Sequence, residues 1–462
     1  MPYNSVKGNL PYERASKLGH ISVINSEWVK SLVESFEDPE IKEIETELKE
    51  GWNKLEEFDK PLKKIWVVDG SLQRVSNHIA AKRMNPISEL GFIKVGLLRI
   101  DWNNINKLDK YNPHPLELRD IMNDSAIFHS TVLPLKNIRA NKFNNSDAVR
   151  NIIFESIKQD ENGAFLETLK WLLYKKWRAE KLNSPEFECP KCNNIIKNGM
   201  SYDAERIKCI HKECKTEIFI TDVLGFHLDM SDDGSNDSIV TSYMSIMEHI
   251  MLFTPIRLLW EHKDKTEISK TLFIKDGPLS LNSQYSKLIP NIRDFIKYSV
   301  DQDREVYIIG CEKSGGIFEH FNSIEAFIEP KIDKTTLKCE EEYISYKLLT
   351  HEYIRKNIQR RDKSKNIYGK RTNWGEKLLV KVDSRTTLVL NIPVYEYKED
   401  EKAPYLLDAI GIKKILSSLK GIISSRYEGA LLPIELANGI ASLSSYPSAK
   451  ILSDFVSDIR KK

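Results

Sequence analysis

The sequence is short of several things, and each shortage narrows the field. A formal net charge of +2 leaves no overall positive field to recruit a polyanion, so any nucleic-acid contact must come from local basic patches. No stretch reads as the roughly 20 apolar residues that a membrane span requires, and the opening MPYNSVKGNLPYERASKLGH lacks the apolar core of a secretory leader. A cytoplasmic protein is expected. No G-x-x-x-x-G-K-[ST] sequence occurs, so ATP-driven movement would have to come from another subunit. There is no internal repeat, which sets solenoids aside. Cysteines number six; Cys189, Cys192, Cys209 and Cys214 fall in one short segment while Cys311 and Cys339 stand apart. That distribution suits a metal site plus free thiols, not a disulfide scaffold.

What remains is an ordinary globular composition, 41% hydrophobic and 29% charged over 462 residues. That length implies two or three domains, or one large domain with insertions. Residues 1–60 carry apolar positions at helical spacing (Trp28, Leu32, Val33, then Ile41, Ile44, Leu48, Trp52, Leu55) and are expected to form a helical lead-in broken at Asp38-Pro39. Strands are expected at IWVVDGS (65–71), Asn77 to Arg83 and GFIKVGLLRID (91–101). A strongly apolar helix follows the polar stretch SDDGSNDS, with Pro255 expected to kink it. Beyond it come strand TLFIKDG, a helix from Ser286, strand EVYIIGCEK, a helical segment Glu340 to Arg361, strands near 377–383 and 386–392, and closing helices. The order βββ then αβαβ is that of an α/β, ribonuclease-H-like mixed sheet flanked by helices. On this reading residues 61–102 and 239–462 form the core, and 103–238 an insertion with a zinc-ribbon-like module at about 185–220.

Two of the most apolar strands carry Asp-Gly, at Asp69 and at Asp276. A strand-end carboxylate, followed by a glycine that lets a phosphate or metal approach, is what a two-metal phosphodiesterase needs. Hard Mg²⁺ or Mn²⁺ prefers oxygen ligands. Glu248 lies in the apolar helix MSIMEHIMLF, among Met244, Met251 and Leu252, where a charge needs a partner or a metal; Glu261 at the end of that helix is the rival. Taken singly, Asp-Gly is more often a tight turn and a helix glutamate a salt-bridge partner. Together the three carboxylates favour a catalytic metal centre.

Lys313 opens the turn KSGG, where it could meet a scissile phosphate while Gly315 and Gly316 let a nucleic-acid backbone come close; a solvated lysine is the plain alternative. His320 reads as structural. Residues 355–371, RKNIQRRDKSKNIYGKR, hold Arg360, Arg361, Lys370 and Arg371 with Tyr368 interleaved, which suits DNA binding as well as it suits a solvated loop. CPKC, sixteen intervening residues and CIHKEC form a ribbon-like Zn²⁺ pattern, with His211 able to replace one cysteine. A closed four-ligand site is structural.

The blocks IWVVDGS, MEHIMLF, TLFIKDGPLS, YIIGCEKSGGIFEH and LLPIELANGIASLSSYP, in this order, resemble those of the NurA nuclease family, from about residue 60 to the C-terminus. The resemblance implies a ribonuclease-H-like fold, a homodimer, Mn²⁺-dependent cutting of DNA from its ends and a HerA-like hexameric ATPase partner, in DNA repair or anti-phage defence. It makes Asp69, Glu248 and Asp276 the Mn²⁺ or Mg²⁺ ligands. One departure stands out: where the family often has a histidine, this chain has Asn438, which can ligate through its carbonyl but cannot exchange protons. The competing expectation is a catalytically silent subunit that holds DNA or the ATPase through the ribbon and the basic segment.

Overall fold

The computed structural model describes residues 23–36, 51–76, 89–107, 116–117, 126–136, 145–159, 163–178, 183–211, 213–230, 236–325, 328, 344–359, 367–383, 386–424, 426–427, 429–443 and 447–459. The strand expected at 77–83, Cys339, Arg360 and Arg361 lie outside them.

Residues 1–50 and 51–462 are separate compact units. In the first, α1 (Glu27–Glu34) starts at Ser26, whose hydroxyl accepts from the Val29 amide at 3.5 Å; a side-chain oxygen at this position satisfies one of the amides a helix start leaves without partners. The lead-in does not continue as helix through Leu55. Instead Asn53–Leu55 is a short strand, β1, hydrogen-bonded to a later edge of the sheet in the second unit.

That sheet has nine strands among the described residues. β2 (Lys64–Ser76) and β3 (Glu89–Asp101) form a long antiparallel hairpin, and β4 (Ala126–Lys136) pairs with β3 on its far side. The third strand of the meander therefore comes from the span expected to be an insertion, so only part of 103–238 lies outside the sheet. β9 (Thr271–Asp276) then lies parallel to β2, and β10 (Tyr307–Glu312) parallel to β9. The order β4-β3-β2-β9-β10, an antiparallel meander whose first strand is shared with a parallel pair, is the ribonuclease-H-like arrangement. β13 (Thr387–Ile392), β12 (Glu376–Lys381), β11 (Ile344–Leu348) and β1 extend the sheet antiparallel beyond it. β11 falls inside the segment expected to be helical; the helix α7 is confined to His351–Asn357, because ISYKL is extended and pairs on both sides, with Ile344, Tyr346 and Lys347 buried.

Helices cover both faces. On one, α2 (Asn145–Lys158), α3 (Ala164–Leu173), α4 (Asp237–Glu261) and α5 (Ile289–Asp301) enclose a core that includes Val68, Val95, Phe273 and Phe295. On the other, α8 (Ile412–Leu419) and α9 (Leu432–Ala441) pack on Ile65, Val67, Leu98 and Ile274. α10 (Ser448–Ile459) ends the described chain. α4 corrects the expectation about apolar runs: an 18-residue stretch of it is apolar enough for a membrane span, yet 83% of that stretch is buried inside the protein. A helix apolar all round is one enclosed by its own protein. Pro255 sits within it without ending it, and the Thr254 hydroxyl donates to the Ile250 carbonyl at 2.8 Å.

Candidate metal centre at the ends of the central strands

β2 outruns its parallel neighbour. The parallel pairing stops at Val68 opposite Lys275, β9 ends at Asp276, and β2 continues with β3 alone to Ser76. Asp69 is thus not at the end of its own strand, as the Asp-Gly dipeptide suggests, but at the point where the sheet loses a strand. Such carboxyl-end crevices are where open α/β sheets bind ligands. Asp69 and Asp276, one residue past the last parallel pair, leave adjacent strands side by side.

Gly70 is extended, and its role differs from the one the sequence suggests. A Cβ there would stand 2.7 Å from Glu248 Oε1 and 2.8 Å from Met244 Cγ, both on α4. The missing side chain makes room for Glu248 to reach the sheet; it does not clear a path for phosphate. Gly277 is the conformational glycine of the pair, at φ +83°. Its amide donates to the Cys311 carbonyl at 2.8 Å and so fastens the end of β9 to β10.

The three carboxylates feel one another. Asp69 is 4% exposed; its Oδ1 accepts from the Gly70 amide at 2.7 Å, while its Oδ2 is buried without a partner among the described residues. Burial, then the charges of Asp276 and Glu248, push its carboxyl up to about 8 against the pull of Lys313 and the Gly70 amide. Glu248 is also raised, chiefly by burial and partly by Asp276, with Lys275 opposing.

Two ammonium groups answer them. Lys313 Nζ lies 3.1 Å from Asp276 Oδ2. Lys275, 4% exposed, points to α4 and places its Nζ 2.7 Å from Glu248 Oε2 and 2.8 Å from the Asp276 carbonyl oxygen. Sequence reasoning misses Lys275, although a lone charge inside the buried run TLFIK signals a partner. His249, next to Glu248, donates from Nδ1 to the Ser245 carbonyl and accepts at Nε2 from Trp374 Nε1. Burial, together with the charge of Lys275, holds it down at about 3, a neutral structural imidazole.

Other expected residues fall elsewhere. Glu261 is bound to Arg257 at 3.0 Å at the C-terminal end of α4. Asn438 is exposed on α9, where its backbone carbonyl accepts from the Ser442 amide. His320 bonds the Tyr353 hydroxyl at 2.9 Å. Gly315 is open, with φ +100° and, among the described residues, no atom within 4 Å of where a Cβ would stand, just ahead of α6 (Gly316–Ile324). In the basic segment Arg355 pairs with Glu401, Lys356 with Glu352 and Lys370 with Glu399. Arg371 is exposed, and Tyr368 packs toward buried Lys377, 5.9 Å from its ring, instead of standing free to stack on a base.

Among the described residues, the group of three or more His, Cys, Asp or Glu whose ligand atoms all lie within 4.8 Å of one another is Cys189, Cys192, Cys209 and Cys214. Two small hairpins, β5–β6 (Phe187–Glu188, Ile195–Ile196) and β7–β8 (Arg206–Lys208, Glu217–Phe219), present them. The Cys189–Cys214 and Cys192–Cys209 sulfurs are 3.7 Å apart. Four thiolates at about 2.3 Å from a tetrahedral ion would be about 3.8 Å apart, so the four sulfurs fit a metal of zinc's size. The module is tied to the core by Arg150 of α2, whose guanidinium grips buried Asp222 at 2.7 and 2.9 Å and also donates to the Glu217 carbonyl.

No family model and no curated protein matches this chain. It is similar to the solved structure of the NurA nuclease from Sulfolobus solfataricus, at 11% identity and a TM-score of 0.34 over 98% of each chain. The core is ribonuclease-H-like by its strand order, β4-β3-β2-β9-β10.

Proposed function

We propose that this protein is a divalent-metal-dependent DNA nuclease that hydrolyses phosphodiester bonds at the crevice where β9 ends. The observation that carries the reading is Asp69 Oδ2, a buried carboxylate oxygen with no partner among the described residues, crowded by two further carboxylates. Burying such a group is costly unless a cation completes it. Asp69, Glu248 and Asp276 are the oxygen ligands that Mg²⁺ or Mn²⁺ prefers. When bound, a pair of such ions supplies an acidified water as nucleophile and offsets the charge that builds on the phosphoryl oxygens.

The chain's own groups do the rest. Lys313, which pairs with Asp276, would meet the scissile phosphate as a point charge. The open backbone at Gly315 lets a nucleic-acid strand approach it. The Gly70 amide holds Asp69 Oδ1 in place. The ribbon cysteines would hold Zn²⁺ and, being four, leave no open position for chemistry.

The block resemblance supports the finer reading: a cytoplasmic homodimer that processes DNA ends with a HerA-like hexameric ATPase, in repair or anti-phage defence. The basic patch at Lys370 and Arg371, with Arg360 and Arg361, would guide the strand. The test is nucleotide release from linear duplex DNA with Mn²⁺, with and without such an ATPase, for wild type and Asp69→Ala. Cleavage by wild type alone is expected; equal release by both, or none by either, refutes the reading.

A further inference from the structure

The three carboxylates do not stand equally open to an ion. Glu248 already has a cation: Lys275 Nζ is 2.7 Å from its Oε2, and the same ammonium is bonded to the Asp276 carbonyl oxygen at 2.8 Å. Lys275 is 4% exposed and Glu248 6% exposed, so this pair is shielded from water and from competing salt. Separating a buried pair leaves an uncompensated charge on each side, which makes Lys275 a firmly held occupant of that place. Asp69 is in the opposite condition. Its Oδ2 is buried and has no partner among the described residues, and Asp276 lies beside it on the neighbouring strand with one oxygen turned to Lys313.

We infer that the DNA-free protein takes up a single divalent ion, at Asp69 and Asp276, because the Lys275 ammonium fills the cation position beside Glu248. The inference rests on the metal-centre reading above and assigns Lys275 as a positioning residue: it orders the loading of the site, so that Glu248 becomes available only when Lys275 is drawn away. The charge count agrees. With all of these groups charged, three carboxylates and two ammoniums sum to −1, so one divalent ion brings the site to +1, whereas a second would bring it to +3 in a buried place. A DNA phosphate brings the negative charge and the oxygen ligands that a second ion would need.

The experiment counts Mn²⁺ bound per chain in zinc-loaded, DNA-free protein, by equilibrium dialysis with detection of the free ion by electron paramagnetic resonance. Wild type is expected to bind one ion and Asp69→Asn none. Lys275→Met, similar in length and uncharged, frees Glu248 and is expected to bind two. The double variant Lys275→Met/Glu248→Gln, which removes both charges of the pair together and avoids stranding either, is expected to bind one with an affinity within about threefold of wild type, well under the 1.4 kcal/mol that a tenfold change represents. Two ions in wild type, one in Lys275→Met, or loss of the ion from the double variant each overturns the inference. No Mn²⁺ in wild type overturns the metal-centre reading itself, so the two failures are told apart.

Discussion

Replacing Gly70 with alanine tests the architecture of the site through one added methyl group. Its carbon would lie 2.7 Å from Glu248 Oε1 and 2.8 Å from Met244 Cγ, well inside van der Waals contact. Met244 can rotate away, since methionine adapts. Glu248 cannot do so freely, because its other oxygen is held by buried Lys275 at 2.7 Å. The methyl therefore forces either a shift of α4 or a displacement of the carboxylate by about 1 Å, with an overpacking cost of about 1–3 kcal/mol. A displacement of that size at a reacting centre costs on the order of a hundredfold in rate. Urea unfolding and Mn²⁺-dependent DNA cleavage read the two effects separately. Gly316→Ala is the control for the unfolding arm alone: its Cβ would meet only Ile358 Cγ2 at 3.5 Å among the described residues, at the start of α6, and it should be neutral or slightly stabilising. A Gly70→Ala protein with wild-type stability and undiminished cleavage would show that Glu248 does not approach the sheet across this glycine.

Asp69→Asn should stabilise the metal-free protein by about 1–3 kcal/mol, since it replaces a buried carboxylate oxygen that no described residue partners and that like charge crowds; a lower melting temperature than wild type in EDTA would contradict this. Arg150→Met should cost about 3–5 kcal/mol by stranding buried Asp222, and pairing it with Asp222→Leu should restore much of that, as denaturant midpoints would reveal. Purified protein should contain one zinc per chain with Cys189, Cys192, Cys209 and Cys214 protected from thiol reagents until a chelator is added; mass spectrometry finding no zinc would end that assignment. His129 is held down at about 4 by burial, below its ordinary 6.5, and bonds the Tyr243 hydroxyl at 2.8 Å. Because the unfolded chain takes up that proton first, the penalty is absent above pH 6.5 and grows as pH falls toward 4, to about 3 kcal/mol. Stability measured against His129→Gln across this range should show the wild type losing more on acidification; parallel curves would refute it.

How much of this could be read from the residues depended on range. β9 and β10 were legible because TLFIKD and YIIGCE are short buried runs, and buried parallel strands carry no alternation to misread. The cysteine module was legible because its ligands are local in sequence. β4 was not, since AIFHSTVLPLK mixes exposed and buried positions irregularly and declares itself only by pairing with β3. β1 and β11 failed for the same reason: β1 is a strand because β11 lies beside it, and β11 because it sits between β1 and β12. At the crevice, Asp69, Glu248 and Asp276 stand out by residue type and Lys275 only as a lone charge in a buried run, whereas the Lys275–Glu248 pairing and the packing role of Gly70 depend on where α4 lies against the sheet.

The cysteine module sits in the chain between the two strands whose junction makes the crevice, and this bears on the route by which the protein folds. Asp69 and Asp276 are 207 residues apart (276 − 69), yet β2 and β9 must pair side by side. The entropy of closing so long a loop grows only slowly with length, but contacts of such wide sequence separation form late. A metal held by the four thiols would fix the module between Cys189 and Cys214 locally without shortening that loop much, and the Arg150–Asp222 clasp anchors the module to α2. During synthesis, the N-terminal hairpin would thus wait with its unpaired β2 edge exposed until β9 emerges, an open edge of the kind that invites aggregation.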